Sequence, residues 1–179
     1  HLGQAVKPHI RKIEKEEGSM IIEESISEKP YTDENDIICW HWDHTKQQSV
    51  KGINFVSVVY HNQNLTLPVG YQLVAKTERY VDAKTGKEKR RSPHTKNDYY
   101  RELLAQTVKN AIPFTYVTND TWFASAENMM FVKRTLTKEF VMPLKDNRKV
   151  ALSFEDKVAG RYQRVDSLTL STNTLYQVY

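Results

Sequence analysis

The stretch from Gly52 to Ala75 constrains the fold of this chain more than any other. Gly52 to His61 reads as a strand that is apolar on both faces around Phe55-Val56-Ser57-Val58-Val59, the pattern of a strand covered from two sides. Asn62-Gln63-Asn64 supplies turn chemistry. From Thr66 the chain alternates strictly, with Leu67, Val69, Tyr71, Leu73 and Ala75 on one face. Strand, turn and alternating return strand together predict an antiparallel hairpin.

The elements around the hairpin set the architecture. Residues 4–17 predict a helix with Val6, Ile10 and Ile13 on one face and Gly18 as its stop. A short strand from Ser19 to Ser25 is centred on Met20-Ile21-Ile22 and ends in Glu23 and Glu24. Glu28 to Lys51 reads as a polar, aromatic excursion with a short strand through Ile37-Ile38-Cys39-Trp40. Lys84 to Lys96 reads as a basic loop. A helix then starts near Thr95, whose hydroxyl can cap the amides around Asp98. Its predicted buried face is Tyr100, Leu103, Leu104, Thr107, Val108 and Ala111, and Pro113 follows its end. Phe114 to Thr118 is a buried strand closing on Asn119-Asp120. A helix from about Ser125 to Leu136 and a strand through Phe140-Val141-Met142 come next. Beyond Asp146 only short strand-like pieces remain, around Val150 to Ser153 and Leu168 to Tyr179. This order predicts an α/β fold: a mixed sheet with helices on its faces. It resembles the order of the ribonuclease-H-like fold, in which the first strand sits centrally, between the hairpin and the fourth strand.

Composition excludes more than it assigns. The formal charge of +4 leans only weakly toward an anionic partner. One cysteine, Cys39, allows no intrachain disulfide and no paired-cysteine metal site, which favours a reducing compartment. No apolar run approaches the roughly 18 to 20 residues of a membrane span. The chain starts at His1 and stops at Tyr179 within strand-like sequence, and so reads as a piece of a longer protein.

Two acids stand at the ends of buried strands: Glu24 after the first and Asp120 after the fourth. If those strands are parallel neighbours, both carboxylates emerge at one sheet edge. Such a pair suits Mg²⁺, which takes hard oxygen ligands and keeps waters for substrate phosphates. Most strand-end acids are merely solvated or cap a helix, so position alone does not assign the pair.

Two motifs bear on that choice. Glu28-Lys-Pro-Tyr-Thr-Asp-Glu-Asn-Asp36, with Cys39-Trp-His-Trp-Asp-His44 and Val50-Lys-Gly-Ile-Asn54, resembles the core of bacterial insertion-sequence transposases of the DDE type. So does Thr118-Asn-Asp-Thr-Trp-Phe-Ala-Ser-Ala-Glu-Asn128, and the resemblance runs from about Val6 to Leu152. It implies a ribonuclease-H-like catalytic core over 19–146, after a leading helix (1–18) and before a truncated β-rich insertion (147–179). It implies three acids binding two Mg²⁺ or Mn²⁺ ions for cleavage and strand transfer of DNA, first with water and then with a DNA 3′-hydroxyl as nucleophile. Asp120 matches the second acid. Glu24 stands at the first, where the family usually has Asp-Asp-Thr and this chain has Glu23-Glu24-Ser25. One extra methylene shifts the carboxylate, and misplacement of about 1 Å can cost on the order of a hundredfold in rate. The third acid is expected outside these 179 residues, which alone should not transpose. The implied partners are element ends and target DNA, with a homodimer as one arrangement of the complex. The implied location is the bacterial cytoplasm, on the nucleoid.

Other features are weaker. His41 and His44 lack a third ligand, so packing outweighs a zinc site there. Lys87, Lys89, Arg90 and Arg91 in the basic loop are candidate phosphate contacts, set against an ordinary solvated loop. Trp122, beside Asp120, is expected to pack on the following helix rather than stack on a base. A degenerate DNA-binding protein derived from a transposase, with no catalysis, is the second reading. A ribonuclease-H-like nuclease outside transposition is the third.

Overall fold

The structure, a computed structural model, describes residues 2–12, 18–63 and 65–179. They fall into two compact units, His1–Met142 and Pro143–Tyr179.

The first unit is a mixed α/β arrangement on a six-stranded sheet. Helix α1 (Leu2–Arg11) precedes β1 (Ser19–Glu28), β2 (Ile38–Asp43), β3 (Gln48–Asn62) and β4 (Leu65–Leu73). A small hairpin, β5 (Glu78–Val81) and β6 (Glu88–Arg91), then leads to α2 (Lys96–Lys109), β7 (Tyr116–Asn119), α3 (Ala126–Met130) and β8 (Glu139–Val141). In the sheet, β3 pairs antiparallel with β1, β2 and β4, and β1 also pairs with β7, parallel, which pairs parallel with β8. The first strand therefore lies between the long hairpin and β7, with Ile22 level with Asn119.

The core lies on one face of this sheet. Met20, Ile22, Val56, Val58, Tyr60 and Val117 bury against Tyr100, Leu103 and Leu104 of α2 and Ile10 of α1. Each large apolar side chain buried there contributes roughly 1.5–3 kcal/mol. Thr95 caps α2 through the expected reciprocal pair: its hydroxyl accepts from the Asp98 amide and the Asp98 carboxylate accepts from the Thr95 amide. Helix α3, capped by Ser125, passes into a π-helical turn (Phe131–Thr135) with Leu136 at its end, so the predicted helix of 125–136 holds with one change of winding. Among the described residues no helix is long and apolar enough to cross a membrane.

Several expectations need correction. The first helix begins earlier than residue 4, and the part expected over 13–17, with Ile13, lies outside the described residues, as does Asn64 of the hairpin turn. Helix α2 ends at Lys109, and Ala111 turns into the left-handed region at φ +53°, so Val108 and Ala111 are exposed while Tyr99 and Ile112 are buried in their stead. The return strand does not alternate strictly. Val58 pairs with Gly70 but Val59 with Pro68, so Val69 is an extra residue in the ladder. After this bulge the faces exchange: Gly70 faces Val58 and Leu103, Val74 is buried, and Tyr71 and Leu73 are exposed. Lys84–Lys96 is not simply a loop, because Glu88–Arg91 is a strand paired with Glu78–Val81.

The second unit holds a two-stranded ladder, β9 (Lys149–Val150) with β10 (Gln163–Arg164), and a short helix α4 (Phe154–Val158) capped by Ser153. No strand forms over Leu168–Tyr179, contrary to expectation; Tyr179 instead exchanges backbone hydrogen bonds with Ala151.

Candidate active site

Asp120 directly follows β7, as expected, whereas Glu24 is not at a strand end: it lies inside β1, which runs on to Glu28 and pairs Glu24 with Val56 of β3. Side chains alternate along β1, so Glu24 shares the core face with Met20 and Ile22, while Glu23 faces solvent. The chain leaves the sheet at Asn119, and Asp120 opens the turn that leads to α3. In the parallel pairing of β1 with β7, Ile22 is level with Asn119, so Glu24 and Asp120 both follow the last paired residues.

Each carboxylate is half committed to the protein. One oxygen of Glu24, Oε1, accepts from Asn54 Nδ2 at 2.6 Å and from the Lys96 ammonium. Asp120 Oδ1 accepts from the amides of Trp122 at 2.9 Å and Phe123 at 3.3 Å, which fixes the turn. Glu24 Oε2 and Asp120 Oδ2 have no hydrogen-bond partner among the described residues.

The surroundings hold the turn in place. The Tyr100 hydroxyl donates to Asn119 Oδ1 at 3.0 Å, and Asn119 Nδ2 donates to the Asp120 carbonyl at 2.7 Å. Phe123 stacks on Tyr100, centroids 5.3 Å apart. Asn128, fully buried, donates to the Phe123 carbonyl and Asn97 Oδ1 and accepts from Arg101. Trp122 joins the two acids' neighbourhoods: Lys96 Nζ lies 5.9 Å from its ring centre, and His44 lies 4.8 Å away ring to ring. Trp122 packs against these side chains while keeping 43 % of its surface exposed.

Sequence reasoning missed Asn54 and Lys96. Asn54 left a faint signal, a polar residue at an inward position of an apolar strand. Lys96 was legible only as the last charge of the basic stretch, since its partner lies 72 positions earlier.

His41 is buried on the same side of the sheet, and its Nε2 has no partner. Among the described residues no three of His, Cys, Asp and Glu cluster as a metal site. Burial, followed by the positive charges of Lys76 and Lys96, pushes the His41 imidazole down to about 4 from 6.5. A folded-state pKa below the unfolded one means that the unfolded chain takes up the proton first. The His41 contribution to stability is therefore whole above about pH 6.5 and is lost as pH falls toward 4. Urea midpoints measured across that window should fall less steeply for His41→Gln than for the parent; equal slopes would refute the assignment.

The four basic candidates are distributed unequally. Asp82 closes the tip of the β5–β6 hairpin by accepting from the amides of Lys84 and Thr85, with Gly86 at φ +64°. Lys89 pairs with Asp82, and Arg91 pairs with Glu78 at 2.8 Å and lies 5.6 Å from the Tyr80 ring centre. Arg90 is the least exposed and pairs with Asp36 and Glu34 of the excursion. Lys87 has no ion-pair partner among the described residues.

No curated protein and no solved structure matches the chain. Residues 5–166, which span the six-stranded sheet with Glu24 and Asp120, match the DDE superfamily endonucleases, and the chain belongs to that family.

Proposed function

We propose that this chain is the larger part of a transposase catalytic core with a ribonuclease-H-like sheet, and that Glu24 and Asp120 are two of its three catalytic acids. The parallel register of β1 and β7, with Ile22 level with Asn119 and the two acids just beyond the last paired residues, is the observation that supports the reading. DDE nucleases act on DNA and generally use divalent metal ions. The free oxygens Glu24 Oε2 and Asp120 Oδ2 fit such an ion in donor type: hard carboxylate oxygens on a solvent-open edge, with the remaining positions left to water and phosphate. They are fewer than a full cage, in keeping with a third acid supplied from outside these 179 residues.

When bound, Mg²⁺ or Mn²⁺, two ions in the complete site, supplies positive charge to the phosphodiester oxygens. The chain's own residues set the geometry. Asn54 holds the longer Glu24 side chain at one oxygen, which limits the play that the extra methylene introduces. The turn at Trp122 and Phe123 orients Asp120, and Asn128 ties that turn to α2.

DNA contact is assigned to the basic hairpin, through Lys87, Lys89 and Arg91 more than Arg90, which is engaged with Glu34 and Asp36. Fluorescence anisotropy of a labelled duplex, followed against salt, tests this. Replacing both Lys87 and Lys89 by Gln should reduce the slope of log affinity on log salt by about 1 to 2, since each phosphate contact contributes about 0.9. An unchanged slope would remove the hairpin from the interface. The catalytically degenerate reading is favoured by one observation, glutamate at the first acid position. It requires duplex binding that is indifferent to Mn²⁺ and to Asp120→Asn.

A further inference from the structure

Lys96 is oddly placed for a helix residue. It is the first residue of α2, where the helix dipole presents its positive end and a cation is disfavoured. Its ammonium turns away to Oε1 of Glu24 and lies beside the Trp122 ring. The two paired side chains are only 26 % and 14 % exposed. A charge-assisted contact in such a site is stronger than one in open solvent. Two buried polar atoms close by, Asn54 Oδ1 and His41 Nε2, lack partners. The neighbourhood is therefore polar and incompletely satisfied, with Lys96 supplying its positive charge beside the carboxylate.

We propose that Lys96 is a resident counter-cation of Glu24 that competes with the divalent ion for this carboxylate. The inference rests on the reading of Glu24 as a metal ligand. A hydrated divalent ion and an ammonium at contact with one carboxylate repel each other, and the repulsion is large where water is partly excluded. An ion at Glu24 Oε2 is therefore held weakly while Lys96 stays at Oε1, and the resting affinity of the site for metal is low. Glutamate at the first acid position favours this state, because its extra methylene carries the carboxylate toward the start of α2.

Thermal melting with and without Mn²⁺ tests this without any measurement of activity. Without metal, Lys96→Met should melt below the parent, because the half-buried Glu24 carboxylate loses its partner. Mn²⁺ should then restore it, with an affinity at least about tenfold tighter than in the parent, or about 1.4 kcal/mol. Lys96→Arg, which keeps the charge, should respond to Mn²⁺ as the parent does. The double variant Glu24→Gln/Lys96→Met should show no response. If Lys96→Met takes Mn²⁺ no more tightly than the parent, while Glu24→Gln abolishes the response, Glu24 remains a ligand and the competition is refuted. If neither the parent nor Lys96→Met responds, this inference falls together with the metal reading of Glu24.

Discussion

Gly52→Ala should cost the first unit about 2–4 kcal/mol and lower its urea midpoint in proportion. Gly52 lies in the first third of β3, paired on one side with Glu28 of β1 and on the other with Cys39 of β2. A methyl group there would meet the Ser27 carbonyl oxygen at 2.4 Å and the Ser27 carbonyl carbon and Glu28 Cα at 3.0 Å. These are backbone atoms of the neighbouring strand and cannot rotate away. The only relief is to part β1 from β3, which breaks ladder hydrogen bonds within four residues of Glu24. The same substitution at Gly86, where an added Cβ meets nothing within 4 Å but φ is +64°, carries only the cost of a left-handed backbone, about 1 kcal/mol. Equal midpoints for Gly52→Ala and the parent would show that the two strands are not packed as described.

Asn128→Ala should cost about 3 kcal/mol. The side chain is fully buried and makes three hydrogen bonds, at 2.9 Å to Asn97 Oδ1, 2.9 Å to the Phe123 carbonyl and 3.0 Å from Arg101. Arg101 keeps Asp98 at 2.6 Å and Glu127 at 3.1 Å, so its charge stays partnered. The loss falls on Asn97 Oδ1, left without this donor, on the Phe123 carbonyl, left with the Ser125 amide alone at 2.8 Å, and on the space vacated. Since that carbonyl belongs to the turn that orients Asp120, the variant should also weaken Mn²⁺ binding if Asp120 is the ligand proposed above. A loss of less than about 0.5 kcal/mol in denaturant melts would place Asn128 among ordinary surface positions.

What could be read from the sequence, and what could not, follows from the range of the forces involved. The strands through Met20-Ile21-Ile22 and Phe55-Val56-Ser57-Val58-Val59 were legible because burial leaves a continuous apolar run. The Thr95–Asp98 cap was legible because both partners lie within one helical turn. The bulge in the return strand was not, although Pro68 and Gly70 are the residues that permit it: Pro68 has no amide to donate, and Gly70 admits Val58 and Leu103. The place of Asp120 just after a buried strand was legible, but that of Glu24 was not, because β1 continues past it to Glu28 through residues with no apolar run. Lys96 reaches Glu24, Asn54 reaches Glu24 and Asn128 reaches Arg101 across sequence separations of 72, 30 and 27, and no local period or spacing encodes such partners. The basic stretch was legible as charge but not as structure, since its hairpin is built from cross-strand ion pairs such as Arg79–Glu88 and Arg91–Glu78.

The account turns on Glu24 and Asp120 serving one cation. Calorimetric titration of the chain with Mn²⁺, beside Glu24→Gln and Asp120→Asn, tests it directly, because each variant removes one charged oxygen set and keeps the side-chain shape. The account predicts weak binding in the parent, held down by Lys96, that is lost in both variants. Binding that persists unchanged in either variant, or a parent that binds no Mn²⁺ at all, would contradict it.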